Sequence, residues 1–268
     1  MALDRARLFA ACALSCSIWY LLYAVVTPFL SKMIVPIHYD KMLQDSKKKD
    51  EKIAKKARNA LGEWNSRWPG FLHAVIQGCL GIYCCFFDKE LIENTVSNTS
   101  TAWMVACAVA CGFFAWDLLI CLTNYEVFGW QFVLHAMFCL FTYITCGFVQ
   151  KYPFAWHGAS FLIFELSTPV LHIRSALIEF KCDSSAITIS TYVFAVVFFL
   201  VRIVWGNFYA FPLVWNHLIR LDDMPSWQKI AFWAFSLLSA GLNSFWMLQI
   251  VKSGMKKRNG KSKSGKSE

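Results

Sequence analysis

The chain has 268 residues, of which 57% are hydrophobic and only 16% are charged, and its mean hydropathy is +0.44. Soluble domains carry about 25% charged residues, so this composition excludes an ordinary soluble domain and indicates a membrane protein. The net charge is +9, and the basic residues adjoin apolar segments, which favours contact with anionic lipid headgroups over nucleic-acid binding.

Seven apolar runs follow one another along the chain. Each is long enough for a helix to cross a hydrocarbon core of about 30 Å at about 1.5 Å per residue. The first run follows a basic start, but it is too long for a signal peptide and lacks a clear cleavage site. The sequence therefore predicts an all-α membrane protein with seven transmembrane helices, over residues 8–31, 69–87, 101–122, 128–149, 153–179, 187–216 and 227–251.

Two basic segments adjoin these spans. The first is "KMLQDSKKKDEKIAKKAR", from Lys41 to Arg58, and the second, "KSGMKKRNGKSKSGKSE", ends the chain. Apolar residues such as Met42, Leu43 and Ile53 among the lysines of the first segment fit a helix lying on the membrane surface, and a solvated linker is the alternative. The second segment is predicted to be a disordered tail.

The distribution of these charges predicts the orientation of the chain. With seven crossings, both basic segments fall on one side of the membrane, where eighteen of the 26 Lys and Arg residues lie, against six on the other side. Basic residues accumulate on the cytosolic side of membrane proteins. We therefore expect a cytosolic carboxyl terminus and a lumenal amino terminus.

Eleven cysteines are present, and ten of them lie inside the predicted spans. Their spacing includes no Cys-x-x-Cys pair, which zinc sites and redox motifs use. We interpret them as small apolar packing residues and predict no metal site and no cofactor.

By helical rise, four ionisable residues of the spans fall in the predicted cytosolic half of the membrane: His73, Asp117, His135 and Glu165. Ionisable groups within a bilayer are unfavourable and usually face the interior of a helix bundle, where they mark function. The alternative interpretation is structural: each histidine only hydrogen-bonds a carbonyl group.

The fifth span adds further polar groups in "FELSTPVLHIR". Its Glu165, Thr168 and His172 share one helix face, and Pro169 interrupts the helix between them. Arg174 lies near the boundary, where it can reach lipid phosphates or pair with Asp117 or Glu165. The sequence predicts a polar pocket inside the bundle, lined by His73, Asp117, His135, Glu165, Thr168, His172 and Arg174.

Four segments, "WNSRWPGFLHAVIQG", "FFAWDLL", "GWQFVLHAMFCLFTY" and "FELSTPVLHIR", resemble in order and spacing the TLC domain family. This family includes the translocating-chain-associating protein, the ceramide synthases and the ceroid-lipofuscinosis protein, and the resemblance is greatest to the small TLC domain-containing membrane proteins. It implies one leading helix followed by a six-helix barrel around a lipid-sized cavity. The implied domains are a leading helix with basic linker (1–63), the TLC domain (64–251) and a basic cytosolic tail (252–268).

The chain also departs from the ceramide synthases. Those enzymes carry two adjacent histidines where this sequence has His135 followed by Ala136, and their His-Asp-x-x-Asp motif has no counterpart here. In the closer relatives the position of His172 is usually Asn. Of the family's paired histidines, only one carries over, onto His135.

Two functions fit this pattern. In the first, the protein binds or handles a membrane lipid, such as ceramide or a phospholipid, in its cytosol-facing pocket and so serves lipid homeostasis. In the alternative, it is an acyltransferase in which His135, oriented by Asp117, acts on an acyl-CoA. A seven-helix receptor is disfavoured because the third span lacks Asp-Arg-Tyr, and the seventh has no proline and no lysine near its centre for a Schiff base. The resemblance implies the endoplasmic reticulum, with the Golgi and plasma membrane as alternatives.

Overall fold

The computed structural model describes residues 5–149 and 151–264, with side chains up to residue 253. Seven of its helices are long and apolar enough to cross a membrane, and the described residues form no strand, which confirms the all-α membrane fold. These helices are α1 (Arg5–Ile34), α2 (Glu51–Phe86), α3 (Thr101–Thr123), α4 (Trp130–Phe148), α5 (Ala155–Glu179), α6 (Ser184–Arg220) and α7 (Ser226–Ser264). Short helices cover Pro36–Asp45, Lys89–Glu93 and Tyr125–Phe128.

The outward surface of these helices is apolar. Leu14 of α1 is 63% exposed, and Tyr192 and Phe208 of α6 are 70% and 75% exposed. Large side chains of this kind would be unfavourable in water but are stable against acyl chains. The exposed residues therefore agree with the membrane class that the composition indicates.

Helix α2 begins earlier than the sequence predicted. Its first residue is Glu51 rather than a residue near 69, because Asp50 caps the helix: its Oδ1 accepts hydrogen bonds from the amides of Lys52 (3.0 Å) and Ile53 (3.2 Å). The following Glu, Lys, Ala and Arg residues are strong helix formers. From Glu51 onward, the predicted linker is thus a direct extension of the second span.

The apolar face of this extension packs against protein. Ala54, Ala57 and Trp64 recur at helical spacing and are all buried. The indole Nε1 of Trp64 donates to the hydroxyl of Ser31 on α1 over 2.9 Å. The second half of the basic segment therefore does not form a separate helix on the membrane surface. Its Ile53 is nevertheless 42% exposed.

The chain divides into two compact units, Met1–His172 and Ile173–Glu268. In the first unit α1 packs along α3, α3 packs on α4, and α2 packs on both α3 and the first half of α5. The close approach of α1 and α3 occurs where Ser15 faces Gly112, and the Ser15 hydroxyl donates to the carbonyl oxygen of Val109 over 3.3 Å. The leading helix is thus an integral part of this unit.

The second unit is built mainly from α6 and α7. Residues Phe199–Ala210 of α6 form a π-helix, which has more residues per turn than an α-helix. The indole Nε1 of Trp215 on α6 donates to the hydroxyl of Ser236 on α7 over 2.6 Å. Helix α7 extends to Ser264, into the segment for which the sequence predicts a disordered tail, and residues 265–268 lie outside the described residues.

Candidate functional site

His73 lies at the centre of the first unit. Its side chain has no exposed surface, and its ring stacks on Phe113 of α3 with centroids 3.5 Å apart and planes 8° apart. The rings of Trp19 and Phe114 meet it edge-on at 5.8 Å and 5.3 Å. Neither ring nitrogen of His73 has a hydrogen-bond partner among the described protein atoms. Buried polar atoms are nearly always hydrogen-bonded, so the two ring nitrogens of His73 differ from those of a histidine that only hydrogen-bonds a carbonyl group.

His135 approaches the same aromatic cluster from α4. Its ring meets Phe114 edge-on at 5.9 Å, so that Phe114 contacts both His73 and His135. Tyr143, two turns further along α4, stacks on Phe114 at 5.6 Å. One turn after His135, the sulfur of Cys139 lies 3.7 Å from Nδ1 and 3.8 Å from Nε2. His73 and His135, which the sequence predicts to lie in the same half of the membrane, thus share Phe114 as a neighbour.

The two carboxylates of the predicted pocket lie on α3 and α5. Asp117 is half-buried, and its Oδ1 accepts a weak hydrogen bond from the thiol of Cys121 over 3.8 Å. Glu165 is 8% exposed, and its Oε2 accepts from the hydroxyl of Thr168 over 3.1 Å. The charges of Asp117 and Glu165 interact, and Glu165 also interacts with the hydroxyl of Tyr143. The carboxylates are thus within electrostatic range of each other, and Glu165 is within range of Tyr143, whose ring stacks on Phe114.

The backbone at Glu165 departs from α-helical geometry because of Pro169. Proline has no N–H, so it cannot donate to the carbonyl oxygen of Glu165 four residues earlier. The amide of Thr168 donates to that oxygen instead, and residues Ile163–Ser167 form a 3₁₀-helix. This tighter segment lies where the sequence predicted an interruption, and it carries the Glu165 side chain.

His172 lies at the edge of the first unit, one helical turn beyond Thr168. Its Nε2 lies 3.0 Å from the point where a Cβ atom on Gly70 of α2 would stand, so the glycine leaves room for the ring. The charge of Arg67, also on α2, interacts with His172. Arg67 is itself paired with Glu63 over 2.9 Å. His172 therefore faces the part of α2 that carries Arg67 and Gly70.

Arg174 belongs to the second unit. Its Nε donates to the hydroxyl of Thr191 on α6 over 2.9 Å. The pairing with Asp117 or Glu165 that the sequence suggested stays a prediction, because those carboxylates lie in the other unit.

The residues that the sequence analysis missed are aromatic. Phe113 and Phe114 connect His73 with His135, and Tyr143 stacks on Phe114, yet apolar rings inside a span give no signal of their own. Cys139 could have been found, because it lies four residues after His135 and hence on the same helix face. All eleven cysteines are free thiols, and the described residues hold no group of three His, Cys, Asp or Glu side chains that could bind a metal ion.

A second buried polar cluster lies in the second unit. Arg202 is 6% exposed, its guanidinium lies over the rings of Phe198 (5.4 Å) and Trp246 (5.6 Å), and its Nη1 donates to Asn243 Oδ1 over 3.4 Å. Asn243 in turn donates to Asn207 Oδ1 over 3.4 Å. In an α-helix Arg202 and Asn207 would point about 140° apart, and the π-helix brings both to the same partner.

Sequence comparison gives this geometry a context. The profile of the TLC domain matches residues 63–252. The chain is 29% identical to TLC domain-containing protein 4-B of Danio rerio over 220 residues, which are 78% of this chain and 80% of the relative. It is 30% identical to TLC domain-containing protein 4 of Homo sapiens over 203 residues, 72% of this chain and 74% of the relative. A third relative is Topoisomerase I damage affected protein 4 of Saccharomyces cerevisiae, 23% identical over 87% of this chain and 80% of its own.

Proposed function

The chain belongs to the TLC domain family, and on that premise we propose that it binds a membrane lipid through the site around His73 and His135. The observation that carries the proposal is the meeting of two histidines at Phe114 inside a membrane-spanning unit, with Asp117 one helical turn beyond Phe114 on α3 and within electrostatic range of Glu165. Charged and polar groups at such depth are retained mainly where they bind or transport something. A lipid headgroup is the polar ligand that the surrounding medium supplies.

The chemistry of the site suits a headgroup with hydroxyl or amide groups. Asp117 and Glu165 offer acceptor oxygens, and each histidine offers one donor and one acceptor in its neutral form. The rings of Phe113, Phe114 and Tyr143 supply an apolar wall for the adjoining hydrocarbon. Ceramide, and those phospholipids whose headgroups carry hydroxyl groups, combine such a headgroup with long chains, so they are the proposed ligand classes.

The proposal extends to the location of the protein. The basic end of α2 and the carboxyl terminus would face the cytosol, and the membrane would be that of the endoplasmic reticulum. Support comes from the excess of Lys and Arg on that side and from the family. The same basic residues, including Lys55 and Arg58, would attract anionic lipid headgroups.

The test is native mass spectrometry with lipid analysis of the protein purified in mild detergent. Wild type should retain a lipid that is reduced by about tenfold or more in His135→Ala and in Glu165→Gln, since a hydrogen bond to a charged group contributes about 1.5–3 kcal/mol. His217→Ala in the second unit is the matched control and should retain the lipid. Equal retention by all four proteins would show that the site does not bind it.

One observation favours a second candidate, acyl transfer. The thiol of Cys139 lies beside both ring nitrogens of His135. His135 would take the thiol proton, the Cys139 thiolate would displace the CoA thiolate from an acyl-CoA, and the proton would pass to the leaving sulfur. The near-equal distances show that the thiol is not aligned with either nitrogen, so the ring must turn before the transfer.

The same mass spectra separate the two candidates. Acyl transfer requires a covalent acyl mass on wild type that is absent from Cys139→Ser and is released by hydroxylamine. A lipid that dissociates on collisional activation, with no covalent remainder, favours binding alone.

A further inference from the structure

A cluster of thiols lies between the leading helix and two of the spans behind it. Cys12 lies on α1, Cys107 and Cys111 lie one turn apart on α3, and Cys146 lies on α4. Cys111 is hydrogen-bonded to both Cys12 and Cys107, and Cys146 is within electrostatic range of Cys111. None of these thiols is among the predicted site residues, and they do not form a metal-binding group among the described residues.

The hydrogen bonds of this cluster run in one direction. The thiol of Cys107 donates to the carbonyl oxygen of Tyr143 on α4 over 3.2 Å. Because a thiol has only one hydrogen, Cys107 accepts the bond from Cys111, and Cys111 accepts the bond from Cys12. Cys12 thus gives its hydrogen to a buried neighbour, which leaves the lone pairs of its own sulfur free to attack an electrophile.

Cys12 is the member of the cluster that a reagent in the membrane can reach. Cys107 is fully buried and Cys111 is 3% exposed, whereas Cys12 is half-buried and lies near the exposed Leu14. The apolar run of α1 begins at Leu8, so Cys12 lies about 6 Å inside the hydrocarbon and meets acyl chains rather than water. A hydroperoxide on an unsaturated acyl chain is the two-electron oxidant that this medium presents at such a depth.

Cys12 and Cys111 lie beside the closest approach of their helices. A Cβ atom on Gly112, the neighbour of Cys111, would stand 2.6 Å from the backbone nitrogen of Cys16, one turn after Cys12. Helices this close bring facing residues towards the Cα separation of about 4.4–6.8 Å that a disulfide requires. Because the two thiols already touch, rotation of their side chains is enough to bring the sulfurs to about 2.05 Å.

We propose that Cys12 and Cys111 are a redox pair that reduces a hydroperoxide on a membrane acyl chain and is thereby joined into a disulfide. The sulfur of Cys12 attacks the outer oxygen of the hydroperoxide, the O–O bond breaks, and the lipid leaves as an alcohol that takes the thiol proton. The sulfur of Cys111 then attacks the sulfenic acid on Cys12, the S–O bond breaks, and the hydroxyl group leaves as water with the proton of Cys111. The two thiols lose two electrons, and the hydroperoxide gains them.

Disulfide mapping of the wild-type protein tests the proposal. Reduced full-length protein in phosphatidylcholine nanodiscs receives an equimolar amount of phosphatidylcholine hydroperoxide, and peptides are mapped without reductant. The link between Cys12 and Cys111 should form, with one lipid alcohol for each link. Hydrogen peroxide at the same concentration should form it about tenfold more slowly, because Cys12 meets hydrocarbon rather than water. The linked protein should melt about 5 °C or more above the reduced protein, because the link closes a long loop.

Three variants separate the two steps. Cys12→Ser should abolish both the link and the lipid alcohol. Cys111→Ser should abolish only the link, because the first step needs Cys12 alone, and dimedone should trap the sulfenic acid that remains on Cys12. Cys16→Ser is the matched control: Cys16 is also a half-buried cysteine of α1, but no thiol of the described residues is hydrogen-bonded to it. This variant should form the link and the alcohol as wild type does.

Each other outcome is decisive. Wild type that forms no link between Cys12 and Cys111, or that forms links at cysteines throughout the chain, would overturn the pair, and this result does not depend on the folding of any variant. A link without the lipid alcohol would overturn peroxide reduction, and equal rates with hydrogen peroxide would overturn the lipid as the source of the oxidant. The inference does not depend on lipid binding at the central site.

Discussion

Replacing Gly112 by alanine should weaken the packing of the leading helix, α1, against α3. A Cβ atom at Gly112 would overlap the side chain of Ser15 and would stand 2.6 Å from the backbone nitrogen of Cys16. The serine side chain can rotate, but the backbone of α1 cannot yield without moving the helix. The added methyl group therefore pushes the two helices apart and does not merely displace one side chain.

The magnitude follows from two opposing effects. Overpacking of a tight contact destabilises by about 1–3 kcal/mol. Alanine is a better helix former than glycine by up to about 1 kcal/mol, which offsets part of that loss. We expect Gly112→Ala to lower the free energy of unfolding by about 1–2 kcal/mol, or the melting temperature by about 2–8 °C for a chain of this size.

The assay is thermal melting of the purified protein in detergent, followed by size-exclusion chromatography. Gly241→Ala is the matched control, because it also lies in a membrane-spanning helix and a Cβ atom there would meet nothing within 4 Å. The propensity gain cancels between the two variants, so their difference measures the overlap alone. Equal melting temperatures for the two variants would refute the close approach of α1 and α3.

Three further predictions concern other parts of the chain. Asn243→Leu removes the bond to Arg202 and should destabilise the second unit by about 1.5–3 kcal/mol in the same melting assay; no change would contradict the buried cluster. The hydrogen bond from Lys55 (2.8 Å) lowers the pKa of Glu126. The pair should therefore stabilise the protein above the ordinary glutamate pKa of about 4.3 and be lost as the pH falls below it, so that wild type and Glu126→Gln melt alike only in acid; a constant difference would contradict this. A tag at the carboxyl terminus should be digested once the plasma membrane alone is permeabilised, and protection until full lysis would reverse the orientation.

The sequence was sufficient for the membrane fold because a span needs only length and apolarity, which are local properties. The sequence prediction missed the start of α2, since a hydropathy profile detects only the apolar part of a helix. The cap at Asp50 and the helix-forming residues after it are a different signal, and they extend the span by more than four turns. Propensity and capping would have predicted this extension.

For the candidate site, helical rise predicted which residues lie in the same half of the membrane but not which side chains meet. The common contact of His73 and His135 with Phe114 depends on how α2, α3 and α4 are rotated about their axes. The shared partner of Arg202 and Asn207 could not be predicted for a different reason. Their convergence on Asn243 requires a π-helix, and a spacing argument built on 3.6 residues per turn separates them.

The unbroken course of α2 sets a fixed rotational phase between its two ends. Lys55 and Arg58 lie in its first part and His73 lies past its middle, and the helix continues through Pro69 with no loop between them to absorb a change. One residue inserted after Arg58 would turn the basic face by about 100° relative to His73 and shift it by about 1.5 Å, whereas seven residues would nearly restore the original angle. The direction in which Lys55 and Arg58 point is thus fixed relative to the orientation of the buried His73. The number of residues between Arg58 and His73 is therefore constrained, even where their identity is not.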